Sequence, residues 1–410
     1  MITLLIPFLS AAQVSEELQK KWDKESAMPE NPLLSVHPTA LPDRILITPL
    51  SSDNKEIRIS WRTDTSVATG RLEIISGDSF SFPKDNRERI DAVCTTALHK
   101  DYPANYHTAI VKDLKPGVLY KYRVGSSPMW SEWFTYKHAE FDKKISFLYF
   151  GDAQNDIYEH TGKIFRNAYQ KFDDAQLAIH IGDLINHANN DYEWGEWHAA
   201  ARTLNTSMPT IATMGNHEYL KNLEGSKTRR SDYWDLTFPH ISNQPGKPFF
   251  LDYGFARFIM LNSNEDIYPQ GKWLDSLLNV TNKQWVILVF HHPVFSGALK
   301  RQNKGLQDNW LPVIEKYKNK IGLVLQGHDH TYARGGLSRR TGTKEKPSQP
   351  VFLVSVIGEK RYELSRQSWM DVAYPDVSTY QYIELTPDKI MYQSYSETNT
   401  LIDSFEILKK

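Results

Sequence analysis

The 410-residue chain contains a single cysteine, Cys94, so no internal disulfide can staple it, and cysteine usage does not report its redox compartment. It has no excess of either charge: 48 Lys and Arg stand against 49 Asp and Glu, for a formal net charge of −1. With no long basic run either, nothing in the charge pattern argues for a nucleic-acid partner, and none is expected. Beyond the N-terminus no apolar run approaches the roughly 20 residues a helix needs to cross a bilayer, so no membrane span is expected. Internal repeats and low-complexity tracts are absent as well.

What remains is an ordinary globular composition, 40% hydrophobic and 24% charged, in a chain long enough for two or three domains. Its 11 Trp and 21 Tyr suit β-sandwich cores and sugar- or phosphoester-facing clefts equally, and decide little. Ile2 to Ala12 is an apolar stretch ending in Ser10-Ala11-Ala12. It has the form of the hydrophobic core and cleavage zone of a secretory signal without the usual basic start, and implies a secreted or periplasmic protein. A short helix packed on the body would fit the same residues. The segment 13–35 is polar, helix-prone and broken at Pro29 and Pro32, so 1–35 reads as leader and linker.

Residues 36–139 alternate apolar and polar positions, as in Glu56–Arg62, Gly70–Ile75, His107–Val111 and Leu119–Val124, with Lys115-Pro116-Gly117 as a turn. Short alternating strands without helical period predict a β-sandwich. The run Ile59-Ser60-Trp61-Arg62 and the stretch Leu114–Val124 resemble fibronectin type III domains, with Trp61 and Tyr122 expected in the core. From 140 to 410 strands alternate with helical patterns near 160–172, 191–204, 270–279 and 307–319, Asp191 serving as an N-cap, and this predicts an α/β domain. The chain ends in further strands, including a hairpin across Thr386-Pro387-Asp388.

Five apolar strands within this second part deliver Asp, Asn or His where the chain leaves the sheet. Phe147–Phe150 runs into Gly151-Asp152, Leu177–Ile181 into Gly182-Asp183, and Thr210–Met214 into Gly215-Asn216-His217-Glu218. Val286–Phe290 runs into His291-His292-Pro293, and Gly322–Gln326 into Gly327-His328-Asp329-His330. Strand exits are where open α/β sheets place ligand chemistry. Two carboxylates, one amide and three imidazoles are a donor set for hard and borderline cations. It exceeds what one ion needs and fits two ions about 3.5–4 Å apart sharing a carboxylate. His328 and His330, two apart on what is expected to be extended backbone, would point to the same side and each serve a different ion.

The order Gly-Asp, Gly-Asp, Gly-Asn-His-Glu, His-x-Pro, Gly-His-x-His resembles the calcineurin-like metallophosphoesterases, and the preceding sandwich resembles the purple acid phosphatase branch. The resemblance spans roughly residues 37 to 400. It implies a fold of two packed mixed sheets flanked by helices, four αββα layers, with the site at the sheet edges. It also implies that Asp152, Asp183 and His330 hold a first metal, Asp183 bridging to a second held by Asn216, His291 and His328. His291 rather than His292 matches the ligand, because it stands first in His-x-Pro. The ions implied are two, drawn from Fe, Mn or Zn.

Two departures from the family pattern affect the first metal. Purple acid phosphatases carry tyrosine three residues after the bridging aspartate, the source of their colour; here Asn186 stands there. Other branches carry histidine two residues after the first aspartate; here Gln154 stands there. Gln154 or Asn186 could offer an amide oxygen instead, and no purple colour and a weaker preference for ferric iron are expected. His187 is read as a supporting or surface residue.

The chemistry implied is hydrolysis of a small-molecule phosphoester, most directly an acid phosphatase-like phosphomonoesterase reaction in which a metal-bridging hydroxide attacks in line. His217 is assigned by the resemblance to phosphate contact and proton donation, with Asp183 as the other central catalytic residue. His292 and Asp329 are supporting candidates, and His292 is also a candidate substrate contact. Lys300 and Arg301, where the family has further histidines, are candidates to clamp a phosphate oxygen. Glu218 is read as orienting its loop, and Trp194, Trp197 and His198 as one packed helix face. A phosphodiesterase of the same superfamily, and a cell-surface binding protein with a degenerate metal site, are the alternatives. Oligomeric state is not legible in the sequence.

Overall fold

A computed structural model of the chain describes residues 37–50, 54–77, 87–99, 102–222, 224–239, 246–337 and 346–409. The stretch 1–35, expected to be leader and linker, lies outside them. Among the described residues no helix is long and apolar enough to cross a membrane.

The first part of the chain forms two antiparallel sheets. One runs in the order Asp43–Pro49, Ile57–Thr63, Pro103–Val111, Val93–Leu98; the other in the order Glu88–Asp91, Arg71–Ser76, Leu119–Ser126, Met129–Trp130, with Phe134–Lys137 also pairing Leu119–Ser126. Alternation decides which side chains meet between them. Ile47, Ile57, Ile59 and Trp61 from one sheet close on Leu72, Ile74, Tyr122 and Val124 from the other. Trp61 and Tyr122 are core residues, as their strand positions require. The Lys115–Gly117 turn uses Gly117 at φ +75, a left-handed conformation that glycine adopts without steric cost.

The second part is built from two mixed sheets. The six-stranded sheet runs Thr210–Ala212, Leu177–His180, Ile145–Phe150, Thr379–Leu385, Lys389–Ser396, Leu401–Leu408. Its first three strands are mutually parallel and the rest antiparallel. The seven-stranded sheet runs Phe249–Tyr253, Ala256–Met260, Trp285–Val289, Ile321–Gln326, Val351–Val354, Tyr332–Gly335, Met370–Tyr374, with a parallel centre and antiparallel edges.

Strand parity sorts the apolar residues into layers. Phe147, Tyr149, Leu177 and Ile179 meet Ile287, Val289, Leu323 and Leu325 between the sheets. Their neighbours Leu148, Phe150 and Ala178 face outward onto Ile164, Phe165, Trp194 and Trp197 of the helices Gly162–Lys171 and Asp191–Ala200. On the far side Val286, Leu288 and Val324 meet Leu274, Leu278, Trp310 and Ile314. Strands covered on both faces need apolar residues at every position, which is why they read as unbroken runs. The result is helix, sheet, sheet, helix, preceded by a β-sandwich. Trp194 and Trp197 are fully buried, and truncating either to alanine would cost about 3–5 kcal/mol.

Two details of the helices differ from expectation. Asn190, not Asp191, is the N-cap of Asp191–Ala200: its side chain accepts from Tyr192 N at 3.1 Å. The patterns near 191–204 and 307–319 each divide in two, at Ala201 and at Trp310. Asp191 is freed for another task. It accepts from Arg44 Nη1 at 2.6 Å and Arg62 Nη1 at 3.3 Å, and from the Tyr102 hydroxyl, tying the sandwich to the second part of the chain. Tyr122 adds a second tie, its hydroxyl donating to the carbonyl of Thr206 at 2.9 Å.

Candidate metal centre

The parallel strands of the two sheets end side by side, and their exit loops converge. Gly182 and Asp183 both turn through left-handed backbone, φ +90 and +50, which swings Asp183 off the strand Leu177–His180. Two neighbouring loops press close against the aspartates, and glycine permits the approach. A Cβ on Gly215 would lie 2.1 Å from Asp183 Oδ1, and one on Gly327 would lie 2.2 Å from Asp152 Oδ1.

The six side chains singled out by their strand exits are brought together. His291 Nε2 lies 3.1 Å from Asp183 Oδ2, 3.2 Å from Asn216 Oδ1 and 3.1 Å from His328 Nδ1. His330 Nε2 lies 3.2 Å from Asp152 Oδ2. The potential ligand atoms of Asp152, Asp183 and His330 are all within 4.8 Å of one another, and so are those of His291, His292 and His328. Asp183 belongs to the first group and touches His291 of the second.

Hydrogen bonds orient these potential ligand atoms. His291 Nδ1 donates to the carbonyl of Ile181 at 2.9 Å and His330 Nδ1 to that of Lys360 at 3.0 Å, so in both rings the Nε2 lone pair points inward. The His328 amide donates to both oxygens of Asp152 at 2.9 Å, and the His217 amide to Asp183 Oδ1 at 2.8 Å. Glu218 accepts from the amides of Asp183, Leu184 and Gly215 at 2.6–2.9 Å, pinning one exit loop to another.

The donor set fits cations. Asp152 and Asp183 are buried, at 0% and 1% exposure, with no lysine or arginine bound to either among the described residues. Burial, with Asp183 alongside, pushes Asp152 up to about 8. Burial would lower His291, yet Asp183 and Asp152 raise it to about 9, so the pocket draws in positive charge. Gln154 is fully buried, its amide 2.9 Å from His330 Nε2 and its Oε1 without a partner, an oxygen beside the first group.

One geometric expectation is overturned. His328 and His330 do not lie on extended backbone: they sit at φ +70 and +46 in a tight loop. Left-handed turns, rather than strand alternation, send one ring to His291 and the other to Asp152. The remaining candidates take varied places. His217 Nδ1 donates to the carbonyl of Asn186 at 2.6 Å, so what Asn186 visibly contributes is its main chain. His292 Nδ1 is engaged by Ser263 Oγ at 2.8 Å, its ring 4.3 Å from that of His328. His187 is held by Glu193 at 2.6 Å. Asp329 accepts from Ser296 Oγ and the Gly297 amide, bracing that loop. Arg301 donates to the carbonyl of His328 at 3.0 Å, lies 3.6 Å from Asp329 Oδ1 and stacks 4.4 Å over Tyr362. Lys300 is exposed and forms no ion pair among the described residues.

Comparison with known proteins agrees with the geometry. Residues 145–332 match the calcineurin-like phosphoesterase family, and residues 42–138 match the purple acid phosphatase N-terminal domain. The chain thus joins a purple acid phosphatase N-terminal domain to a calcineurin-like phosphoesterase domain, and its relatives include purple acid phosphatases. It is 25% identical over 330 residues to a phosphoenolpyruvate phosphatase of Allium cepa, covering 76% of this chain. It is 24% identical over 321 residues to the Fe(3+)-Zn(2+) purple acid phosphatase 12 of Arabidopsis thaliana, covering 72% of this chain. The chain spans 65% of the length of each of these two relatives. A solved purple acid phosphatase from yellow lupin (Lupinus luteus) seeds superposes with a TM-score of 0.76 at 17% identity, over 90% of this chain and 74% of that one. The family and the clustered donors together support a dinuclear metal centre.

Four neighbours of the site carried no sequence signal. Tyr362 lies against His330, ring centroids 4.6 Å apart, and Ser263 holds His292. Lys227 and Lys360 stand at the rim. None falls in a motif or at a strand exit.

Proposed function

We propose that this chain is a dinuclear metal-dependent phosphomonoesterase, with Asp183 as the carboxylate shared between two ions. The observation that carries this is the position of Asp183, which touches His291 through Oδ2 while its carboxylate also groups with Asp152 and His330. Asp152 and His330, with Gln154 beside them, would hold one ion; Asn216, His291 and His328 would hold the other. When bound, such a pair neutralises phosphoryl oxygens and brings the pKa of a water held between them toward neutrality.

The residues of the chain do the rest. Fixed Nδ1–H groups keep the His291 and His330 lone pairs aimed inward before substrate arrives. His217, with Nδ1–H committed to the Asn186 carbonyl, presents Nε2 to the leaving oxygen and, in its imidazolium form, would give that oxygen its proton. Arg301, held by the His328 carbonyl and Tyr362, is the stronger phosphate clamp of the two basic loop residues. Without a phenolate at Asn186 the first site suits Mn²⁺, Zn²⁺ or Fe²⁺ better than ferric iron. The division into a sandwich over 36–139 and a hydrolase domain over 140–410 is part of the same proposal. Secretion rests on the Ile2–Ala12 pattern alone.

The deciding experiment combines elemental analysis with turnover of an aryl phosphate. Two metal equivalents per chain and hydrolysis abolished in Asp183→Ala support the proposal. Near-zero metal with no recovery on adding Mn²⁺, Zn²⁺ or Fe²⁺ rejects it.

A further inference from the structure

Phosphate itself needs little more positive charge than the pocket already calls for, yet the rim carries a second tier of cations. The hairpin formed by Tyr219–Lys221 and Lys227–Arg230 begins directly after His217 and Glu218. On the other side the segment 358–362 passes under His330, whose Nδ1 is bound to the Lys360 carbonyl. Lys221 and Lys360 both place charge near His217; Lys360 also acts on His330, and Lys227 on Asp183 and His292. Lys221 and Lys360 thus share His217, and Lys227, paired with Lys221 across the hairpin, acts on His292.

Acidic groups act on Lys227 only through space, Asp183 first and Glu265 after it. Lys227 Nζ donates to the neutral amide oxygen of Asn264 at 2.6 Å and lies 5.8 Å from the Tyr219 ring centroid; Lys360 Nζ lies 5.3 Å from that of Tyr362. Neither these two nor Lys221 forms an ion pair with a carboxylate among the described residues. Lys227 belongs to an exposed strand, but its ammonium is turned onto Asn264, and desolvation pushes it down to about 8. A surface lysine usually trails into solvent or meets an acid. Arg301 differs, being already held by Asp329, His328 and Tyr362.

The rim lysines lie outside the atoms that could bind metal, where the departing half of a phosphomonoester would rest. We propose that the cleft selects phosphomonoesters whose leaving group carries an anionic group of its own, which Lys227 and Lys221 receive on one rim and Lys360 on the other. This rests on the phosphomonoesterase reading and narrows its substrate class. The reaction is unchanged: water supplies the oxygen that bonds to phosphorus, the ester P–O bond breaks, and the leaving oxygen takes a proton. A charge-assisted contact to the leaving group adds to kcat/KM and weakens with salt.

The test uses the full metal-loaded chain on phenyl phosphate, 3-carboxyphenyl phosphate and 3-(phosphonooxy)phenyl phosphate, at low and high salt. The carboxylate and phosphate arms separate the two sources of the anion. We expect kcat/KM for at least one charged substrate to exceed that for phenyl phosphate by about tenfold, the gap closing as salt rises. Lys227→Met and Lys360→Met should each lower the charged substrate about tenfold and phenyl phosphate no more than about threefold. Lys227→Arg, which keeps the charge, should recover most of the loss; metal content and thermal unfolding check that each variant folds. Equal kcat/KM on charged and uncharged substrates, or equal losses on both in the variants, overturns the selection proposal alone. No turnover of any substrate by metal-loaded protein removes the phosphomonoesterase reading and this one with it.

Discussion

The imidazole of His217 donates through Nδ1 to the main-chain carbonyl of Asn186, 2.6 Å away, while its own amide donates to Asp183. A carbonyl only accepts, so Nδ1 keeps its proton, and Nε2 is the atom left for a substrate, able to give a proton when the ring is an imidazolium. Removing the ring should therefore matter in proportion to the leaving group's need for a proton. We expect His217→Ala to lower kcat on an alkyl phosphate by about 10²–10³ and on an activated nitrophenyl ester by about tenfold or less. The measurement is kcat against leaving-group pKa, with metal content in parallel. A uniform loss across leaving groups, with metal retained, would assign His217 to binding alone.

Because His217 is anchored by the backbone at position 186, the side chain there is replaceable. Asn186→Tyr should keep the anchor and add the phenolate that the family's coloured members use. Loaded with ferric iron, the native chain is expected to show no tyrosinate band in the visible. The variant should gain one and retain ferric iron more tightly against a chelator. A spectrum unchanged by the substitution would mean that position 186 does not reach the first ion.

The strands that carry the site were legible because they are buried on both faces. Ile145–Phe150, Trp285–Val289 and Ile321–Gln326 expose nothing, so they read as apolar runs whose polar exits stand out. The hairpin Tyr219–Lys221 and Lys227–Arg230 was not legible. Lys-Thr-Arg-Arg is exposed or half-exposed throughout and has no period to detect. The left-handed turns at His328 and His330 escaped for another reason. Nothing in Gly-His-x-His marks a non-glycine residue for positive φ, and only the tertiary contacts to Asp152 and His291 hold it there. Arg301 was legible as a charge in a loop, but not its stack on Tyr362, which comes from a distant segment.

Asp191 illustrates how a helix-start pattern can hide a joint. Capping is done by Asn190, and the Asp191 carboxylate instead faces Arg44 and Arg62, whose side chains are 5% and 1% exposed. Arg62 keeps a second partner, Asp43, at 2.7 Å. Asp191→Ala would leave buried guanidinium charge under-compensated, and we expect a loss of about 3 kcal/mol. Thermal unfolding should also become less cooperative as the sandwich separates from the rest. Asp191→Asn, which can still accept hydrogen bonds, should lose less. An unshifted single transition in Asp191→Ala would show that the joint contributes nothing.

The sandwich also carries its own acid sensitivity. His107 is fully buried, its ring stacked on Trp61 at 5.4 Å and its Nε2 2.8 Å from Thr63 Oγ1, and burial lowers it to about 4. In the unfolded chain the same group titrates near 6.5, so below that pH the unfolded state takes up the proton first. The stability that His107 contributes is thus present above about 6.5 and is lost as pH falls toward 4, by about 3 kcal/mol in all. His107→Gln retains a partner for Thr63 and cannot titrate. Hydrogen exchange across Ile57–Thr63 at pH 7 and pH 4.5 measures the effect where it arises. We expect protection in the native chain to fall more steeply between those two values than in the variant. Parallel declines in the two proteins would place the acid-labile group elsewhere.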